Sequence, residues 1–205
     1  MDRKTFLHVG CGTKQKDQTT RGFASDAWRE LRLDIDASMS VDYVSSMTDM
    51  AAVADESCDA IYSSHNIEHL YAHEVGAALR EFRRVLRPGG FAVITCPDLQ
   101  SVCEAVGKGR LVEPVYESPA GPIAPIDILY GHRGALAAGQ LYMAHRCGFT
   151  EKTLVSTLRG VGFVGVASQR TRNWHLWAVA SRAVISENDL RRLAADHFPI
   201  EMPTI

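Results

Sequence analysis

The sequence predicts an α/β protein built on a mainly parallel sheet, and three observations carry that reading. Short apolar runs alternate with helical patterning through the first hundred residues. The run Phe91-Ala92-Val93-Ile94-Thr95-Cys96 is apolar almost throughout, as a parallel strand covered on both faces requires. The predicted strand ends carry Gly10-Cys11-Gly12, Asp34, Ser64-His65 and Pro97-Asp98. In such sheets ligands bind beyond the carboxyl ends of the strands, so these residues converge on one place.

The first strand is predicted at residues 5–9 and stops at the glycine turn. Residues 13–21 are polar with little to pack, and read as a loop or a short exposed helix. Further strands are expected at 30–35, 41–44 and 59–63. Val75, Leu79, Phe82, Val85 and Leu86 recur at three- and four-residue spacing, which lays them on one helix face. Pro88-Gly89-Gly90 is expected to end that helix and turn the chain into the fifth strand, which Pro97 closes.

Residues 99–149 are rich in glycine and proline. A structureless loop of that length is unusual in a compact domain, so the segment is expected to be functional, partly helical and to cover the open end of the site. Thr150 is a suitable N-cap for a helix over 151–159, which Gly160 and Gly162 end. Strands at 163–168 and 176–180 complete the sheet, and a peripheral helix follows from Ser186. The 205 residues fit one domain, 1–205, with the 99–149 segment inserted in it.

Charge and composition narrow the function. The net charge is −2, and a duplex nucleic-acid partner would call for a basic face, so no nucleic acid is expected. Arg80, Arg83, Arg84 and Arg87 read as a solvated helix face. No run of eighteen apolar residues is present, so no membrane span is expected. Met1-Asp2-Arg3-Lys4 leads straight into a strand without a signal-peptide core, which points to the cytoplasm. Five cysteines without a C-x-x-C pair suggest reduced thiols.

Gly10 and Gly12 let the backbone turn sharply and approach a ligand with no Cβ in the way. Asp34 lies 22 residues after Gly12, and Asp36 lies 24 after, both suited to accept the hydroxyl protons of a ribose. Gln15 stands where a dinucleotide-binding turn carries its third glycine. That glycine brings a helix N-terminus to a pyrophosphate, so its loss favours a nucleoside ligand without phosphates.

Leu7-His8-Val9-Gly10-Cys11-Gly12 resembles the first motif of class I S-adenosylmethionine-dependent methyltransferases. Leu33-Asp34-Ile35-Asp36 is similar to their ribose-binding strand end. Residues 59–70 and the turn Leu86-Arg87-Pro88-Gly89-Gly90 resemble the type-11 branch of that class. Ser118-Pro119-Ala120-Gly121-Pro122-Ile123, Ile128-Leu129-Tyr130-Gly131-His132 and residues 143–149 resemble a group of predicted bacterial methyltransferases. The resemblance implies a Rossmann-like doubly wound sheet, mainly parallel with an antiparallel last strand. It implies S-adenosylmethionine as cofactor and methyl transfer, without naming a substrate; the favoured acceptor is a small-molecule or glycan-like compound. Gly10, Cys11 and Gly12 would line the methionine end of the cofactor. Asp34 would hold the ribose, Ile35, Ser46 and Met47 would sit by the adenine, and Ser64 and His65 would form the floor. His8 departs from the acid that usually opens the first motif. Ser46 departs from an acid near the adenine amine, for which Asp49 is a substitute.

His65-Asn66-Ile67-Glu68-His69 also matches the H-x-x-E-H pattern of inverted zinc peptidases, and His73 extends it to i, i+4 and i+8. Such spacing binds zinc when it lies on one helix. The strand before it favours a strand end entering a short helix, and no metal is assigned. His132 and His145 are the candidates for a general base, in the segment expected to cover the site, with Tyr130 and Tyr142 nearby. The same two histidines would equally suit pinning the loop. His175 is expected to pack, His197 to be exposed and Cys147 to be a buried thiol. Two other functions stay open: a non-catalytic nucleoside-binding protein on the same fold, and an NAD-dependent oxidoreductase, against which Gln15 counts.

Overall fold

A computed structural model of the chain describes residues 3–118 and 120–200; Met1, Asp2 and the Pro119 singled out above lie outside them. The sheet strands are β1 (Lys4–Val9), β2 (Trp28–Asp34), β3 (Tyr43–Val44), β4 (Cys58–Ser64) and β5 (Leu86–Pro97). A small hairpin of β6 (Tyr116–Ser118) and β7 (Gly121–Ile123) follows, then β8 (Gly165–Arg170) and β9 (His175–Ser181) return to the sheet. The seven-stranded sheet has the order β3-β2-β1-β4-β5-β9-β8. β9 runs antiparallel to β5 and β8, and every other pairing in the sheet is parallel. The helices are α1 (Arg21–Ala24), α2 (Ala72–Val85), α3 (Leu99–Gly107), α4 (Pro125–Tyr130), α5 (Arg133–Ala137), α6 (Glu151–Gly160) and α7 (Glu187–His197).

The double winding follows from period-two alternation. Along β5, Ala92, Ile94 and Cys96 join a core with Val75, Leu79 and Phe82 of α2 and Leu154 and Leu158 of α6. Phe91 and Val93 face the opposite core, with Phe23 of α1 and the partly buried Leu190 and Leu193 of α7. A third, smaller cluster joins Val102, Ile123 and Ile128 beneath the 99–149 segment. Among the described residues no helix is long and apolar enough to cross a membrane.

Two expectations are corrected. Pro88-Gly89-Gly90 forms no separate turn: α2 ends at Val85, and Leu86 already pairs with Cys58 in the sheet. The three residues fall in an irregular start to β5, where the register shifts between Cys58 and Ala60. Gly90 is needed there because a Cβ would stand 3.0 Å from the Asp59 carbonyl oxygen. His197 is not exposed. Its ring is buried against Phe23, with centroids 4.3 Å apart, and its Nδ1 lies 2.6 Å from Thr20 Oγ1.

Asp98 leaves β5 at the ligand-bearing edge, yet its carboxylate serves the scaffold. It is fully buried, caps α3 by accepting from Gln100 N (3.1 Å), and accepts from Ser101 Oγ and Arg170 Nε at 2.7 and 2.8 Å. Because β9 is antiparallel, its first residue, His175, pairs with Pro97 and arrives at the same edge.

Candidate active site

The carboxyl ends of β1, β2 and β4 open on a cavity of about 500 Å³. Gly10 and Gly12 both have positive φ, +62° and +51°. The turn is clamped by alternate side chains of β2. Gly12 N donates to Asp34 Oδ2 at 2.7 Å, and Arg32 Nη2 donates to Gly12 O at 2.7 Å. One step back, Glu30 pairs with buried His8 at 2.7 Å and accepts from Lys16 N at 3.1 Å. Glu30, Arg32 and Asp34 share one face of the strand, and Leu31 and Leu33 pack on the other. This polar alternation was readable in the sequence, although only Asp34 was singled out there.

Asn66 is a second clamp that no sequence signal marked. Its Nδ2 donates to Val9 O and Ser64 O at 2.9 and 3.1 Å. A Cβ on Gly10 would lie 2.0 Å from Asn66 Oδ1. Gly10 is therefore required by the protein's own packing. Around a Cβ on Gly12 nothing lies within 4 Å, so that glycine faces open space.

Gly10, Cys11, Gly12, Asp34, Ile35, Ser46, Met47, Ser64 and His65 all line this one cavity. Asp49 does not; it is exposed, and its N–H bonds Ser46 O at 3.1 Å. Ile35 is 62% exposed, an apolar side chain held at the rim. Both carboxylates of the β2 end reach the cavity. Asp34 Oδ1 accepts from Asp36 N at 3.0 Å, and hydrogen bonds from Ser38 hold the Asp36 carboxyl below its usual range. Burial pushes the Cys11 thiol up to about 11, so it stays protonated at neutral pH. After the glycine turn the chain forms only a 3₁₀ turn, Lys16–Gln18, and the four-residue α1. Among the described residues no long helix starts there to receive a pyrophosphate.

Residues 7–94 match the family model for a methyltransferase domain of the type-11 family. That match takes in a little under half of the chain. Solved structures share the fold. An S-adenosylmethionine-dependent methyltransferase from Methanosarcina mazei aligns with a TM-score of 0.57 and 16% identity, over 90% of this chain and 95% of that one. A 1,6-didemethyltoxoflavin N1-methyltransferase from Burkholderia thailandensis, bound to 1,6-didemethyltoxoflavin and S-adenosylhomocysteine, aligns at 0.54 and 17% identity, over 89% and 72%. A methyltransferase from Archaeoglobus fulgidus aligns at 0.54 and 14% identity, over 87% and 86%. No curated protein matches the chain.

Beside the glycine-turn cavity stands a wall of histidines. His65 has φ of +56°, uncommon for a residue with a Cβ, and is held by its N–H to Thr95 O at 2.9 Å. His175 Nδ1 lies 2.7 Å from His65 Nε2, and His65 Nδ1 lies 3.2 Å from Glu68 Oε1. His175, expected only to pack, thus ends a relay that orients Glu68. Burial together with the charge of His65 lowers the His175 pKa to about 4. Burial opposes ionisation of Glu68, but the hydrogen bond and field of His65, with a smaller contribution from His69, outweigh it and lower its pKa.

His145 and His132 separate here. His145 donates Nδ1–H to Ile128 O at 2.7 Å, and burial lowers its pKa, which keeps the ring neutral with a free Nε2. It lines a second cavity of about 280 Å³, together with Glu68, Pro97, Tyr130 and Arg146. His132 lines neither cavity; its Nδ1 accepts from Ala135 N at 3.2 Å and caps α5. The helical H-x-x-E-H arrangement is not formed. His65 and His69 sit in a left-handed residue and a 3₁₀ turn (Ile67–His69), while His73 is exposed on α2. Tyr130 is exposed, Tyr142 lines the glycine-turn cavity, and burial pushes the Cys147 thiol up to about 11.

Proposed function

We propose that the protein is an enzyme that transfers the methyl group of S-adenosylmethionine to a small-molecule or glycan-like acceptor in the cytoplasm. The observation that carries this reading is the convergence of the glycine turn, Asp34 and the Ile35–Met47 rim on one cavity, with a second cavity against it. Gly10, Cys11 and Gly12 face the methionine moiety, Asp34 takes the ribose hydroxyls, and Ile35, Ser46 and Met47 flank the adenine. Asp34 suits the role because each oxygen is already oriented by a backbone N–H, leaving its remaining lone pairs directed outward.

Methyl transfer is an in-line displacement. The acceptor's lone pair forms the new bond to carbon, and the sulfonium leaves as a neutral thioether. Positioning supplies much of the rate, and a neutral base takes the proton that an oxygen or nitrogen acceptor gives up. His145 Nε2 supports that role, since its other nitrogen is committed to Ile128 O. Arg146 lines both cavities and its guanidinium lies 4.8 Å from the Tyr71 ring, a fixed cation beside the acceptor's path.

Calorimetric titration with S-adenosylmethionine and S-adenosylhomocysteine tests the assignment. Asp34→Asn keeps an acceptor for Gly12 N and removes the carboxylate, so affinity should fall by about 10–100-fold, the worth of a hydrogen bond to a charged group. Asp36→Asn should cost less. A wild type that binds neither ligand would overturn the function. Equal binding by Asp34→Asn would remove Asp34 from the ribose.

A further inference from the structure

Glu68 is 1% exposed, and its Oε1 is held by His65, but its Oε2 is buried with no hydrogen-bond partner. A buried carboxylate oxygen without a partner is destabilising unless a cation or donor reaches it. Two imidazoles stand beside it. One donor atom each from Glu68, His69 and His145 lie within 4.8 Å of one another. His69 directs Nδ1–H to Ala144 O at 3.1 Å, and His145 directs its own to Ile128 O at 2.7 Å. Each ring therefore keeps Nε2 free. Metal-binding histidines are commonly oriented in this way, with the second nitrogen donating to a backbone carbonyl.

We propose that Glu68, His69 and His145 form a site for one divalent first-row transition-metal ion of the zinc class. Two imidazoles and one carboxylate suit zinc or iron(II) better than calcium or magnesium, which prefer oxygen. The three ligands come from two distant stretches of chain, Glu68-His69 and His145, that the backbone ties together. Glu68 O accepts from Arg146 N and Cys147 N at 2.8 and 3.2 Å, and His145 N donates to Tyr130 O at 3.1 Å. Donors about 2.0–2.2 Å from zinc lie roughly 3.4 Å apart in a tetrahedron, so the ligands would close by about an ångström on the ion. That movement lies within side-chain torsions. His65 and His175 form the outer layer that fixes Glu68.

The location gives the ion a use, which rests on the methyltransferase reading. His69 lines the cofactor cavity, and Glu68 and His145 line the second one. An ion held there stands on the wall between methyl donor and acceptor. Three protein ligands leave a position for an acceptor oxygen, whose proton the ion would make easier to lose. In that case His145 acts through the metal, and the acceptor class narrows to hydroxyl compounds.

The test is a Zn2+ titration of chelator-treated protein, followed by calorimetry, with the absorption spectrum of Co2+ as a second probe. Wild type should take up one Zn2+ per chain. His145→Ala and Glu68→Gln should each weaken it by at least about tenfold, since even outer-layer changes at metal sites cost that much. His73→Ala, on exposed α2, should not change it. Should Glu68→Gln fail to fold, His145→Ala decides alone, with near-UV circular dichroism to show that its fold is intact. Uptake below one ion per chain, or equal affinity in wild type and folded His145→Ala, overturns the site. S-adenosylmethionine binding is measured on the same samples, so failure of the cofactor reading shows separately.

Discussion

The region that presents the cavity at the ends of β1, β2 and β4 and the 99–149 segment beside it are built by different means. Residues 4–98 are strands and helices whose side chains alternate between two large cores, and the glycine turn is locked by neighbours on β2 and by Asn66. Residues 99–149 consist of short helices and one two-stranded hairpin around a small cluster of Val102, Ile123 and Ile128. Polar contacts inside that segment include those of Asp127 with Arg133 and of His145 with Ile128. A site placed by a sheet is stiff and tolerates little. A site placed by short pieces opens and closes locally at lower cost.

The largest effect should come from breaking the stiff side. Gly10→Ala places a Cβ 2.0 Å from Asn66 Oδ1 at a φ of +62°. Strain and displacement of Asn66 should cost about 2–4 kcal/mol in urea unfolding and abolish measurable cofactor binding. An unchanged midpoint would mean that the turn is as adaptable as the covering segment, and the contrast would fail.

A smaller, local effect is expected on the other side. Asp127 is 4% exposed and accepts from Ala124 N at 3.0 Å and from Arg133 N and Nε at 3.2 and 2.7 Å. Asp127→Ala leaves those donors unpaired, at about 1–3 kcal/mol. Hydrogen exchange should rise across residues 120–146 and not in β1, β4 or β5, with cofactor affinity held within about twofold. Faster exchange throughout the sheet would show that the two regions unfold as one.

The same contrast explains what the sequence disclosed. Strand positions follow from local period and from the double-sided burial of residues 91–96, whereas the antiparallel β9 was legible only through the resemblance to class I methyltransferases. The glycine turn and Asp34 were visible for the same reason: each ends a strand. The Pro-Gly-Gly at 88–90 misled because glycine and proline mark a bulge and a turn alike, and only pairing with β4 separates them. His175 and His65 are 110 residues apart, and Glu68 meets His145 across 77, so no local pattern announces either contact. His132 and His145 looked equivalent in the chain. They differ because one ring is turned into a helix cap and the other into a cavity.

The smallest effect belongs to a residue of that segment whose hydroxyl reaches the carboxyl end of β2. Tyr142 is 48% exposed, and its hydroxyl donates to Asp36 Oδ2 at 3.5 Å, the far limit of a hydrogen bond. Tyr142→Phe should therefore change stability by less than about 0.5 kcal/mol. S-adenosylmethionine affinity in calorimetry should stay within about threefold, because ring contact with the cavity survives the loss of the hydroxyl. A tenfold loss would mean that this hydroxyl tightens on Asp36 when cofactor binds. Residues 140–146 would then count as a fourth wall of the cofactor site, and the boundary between the stiff region and its cover would move from the end of β5 to Tyr142.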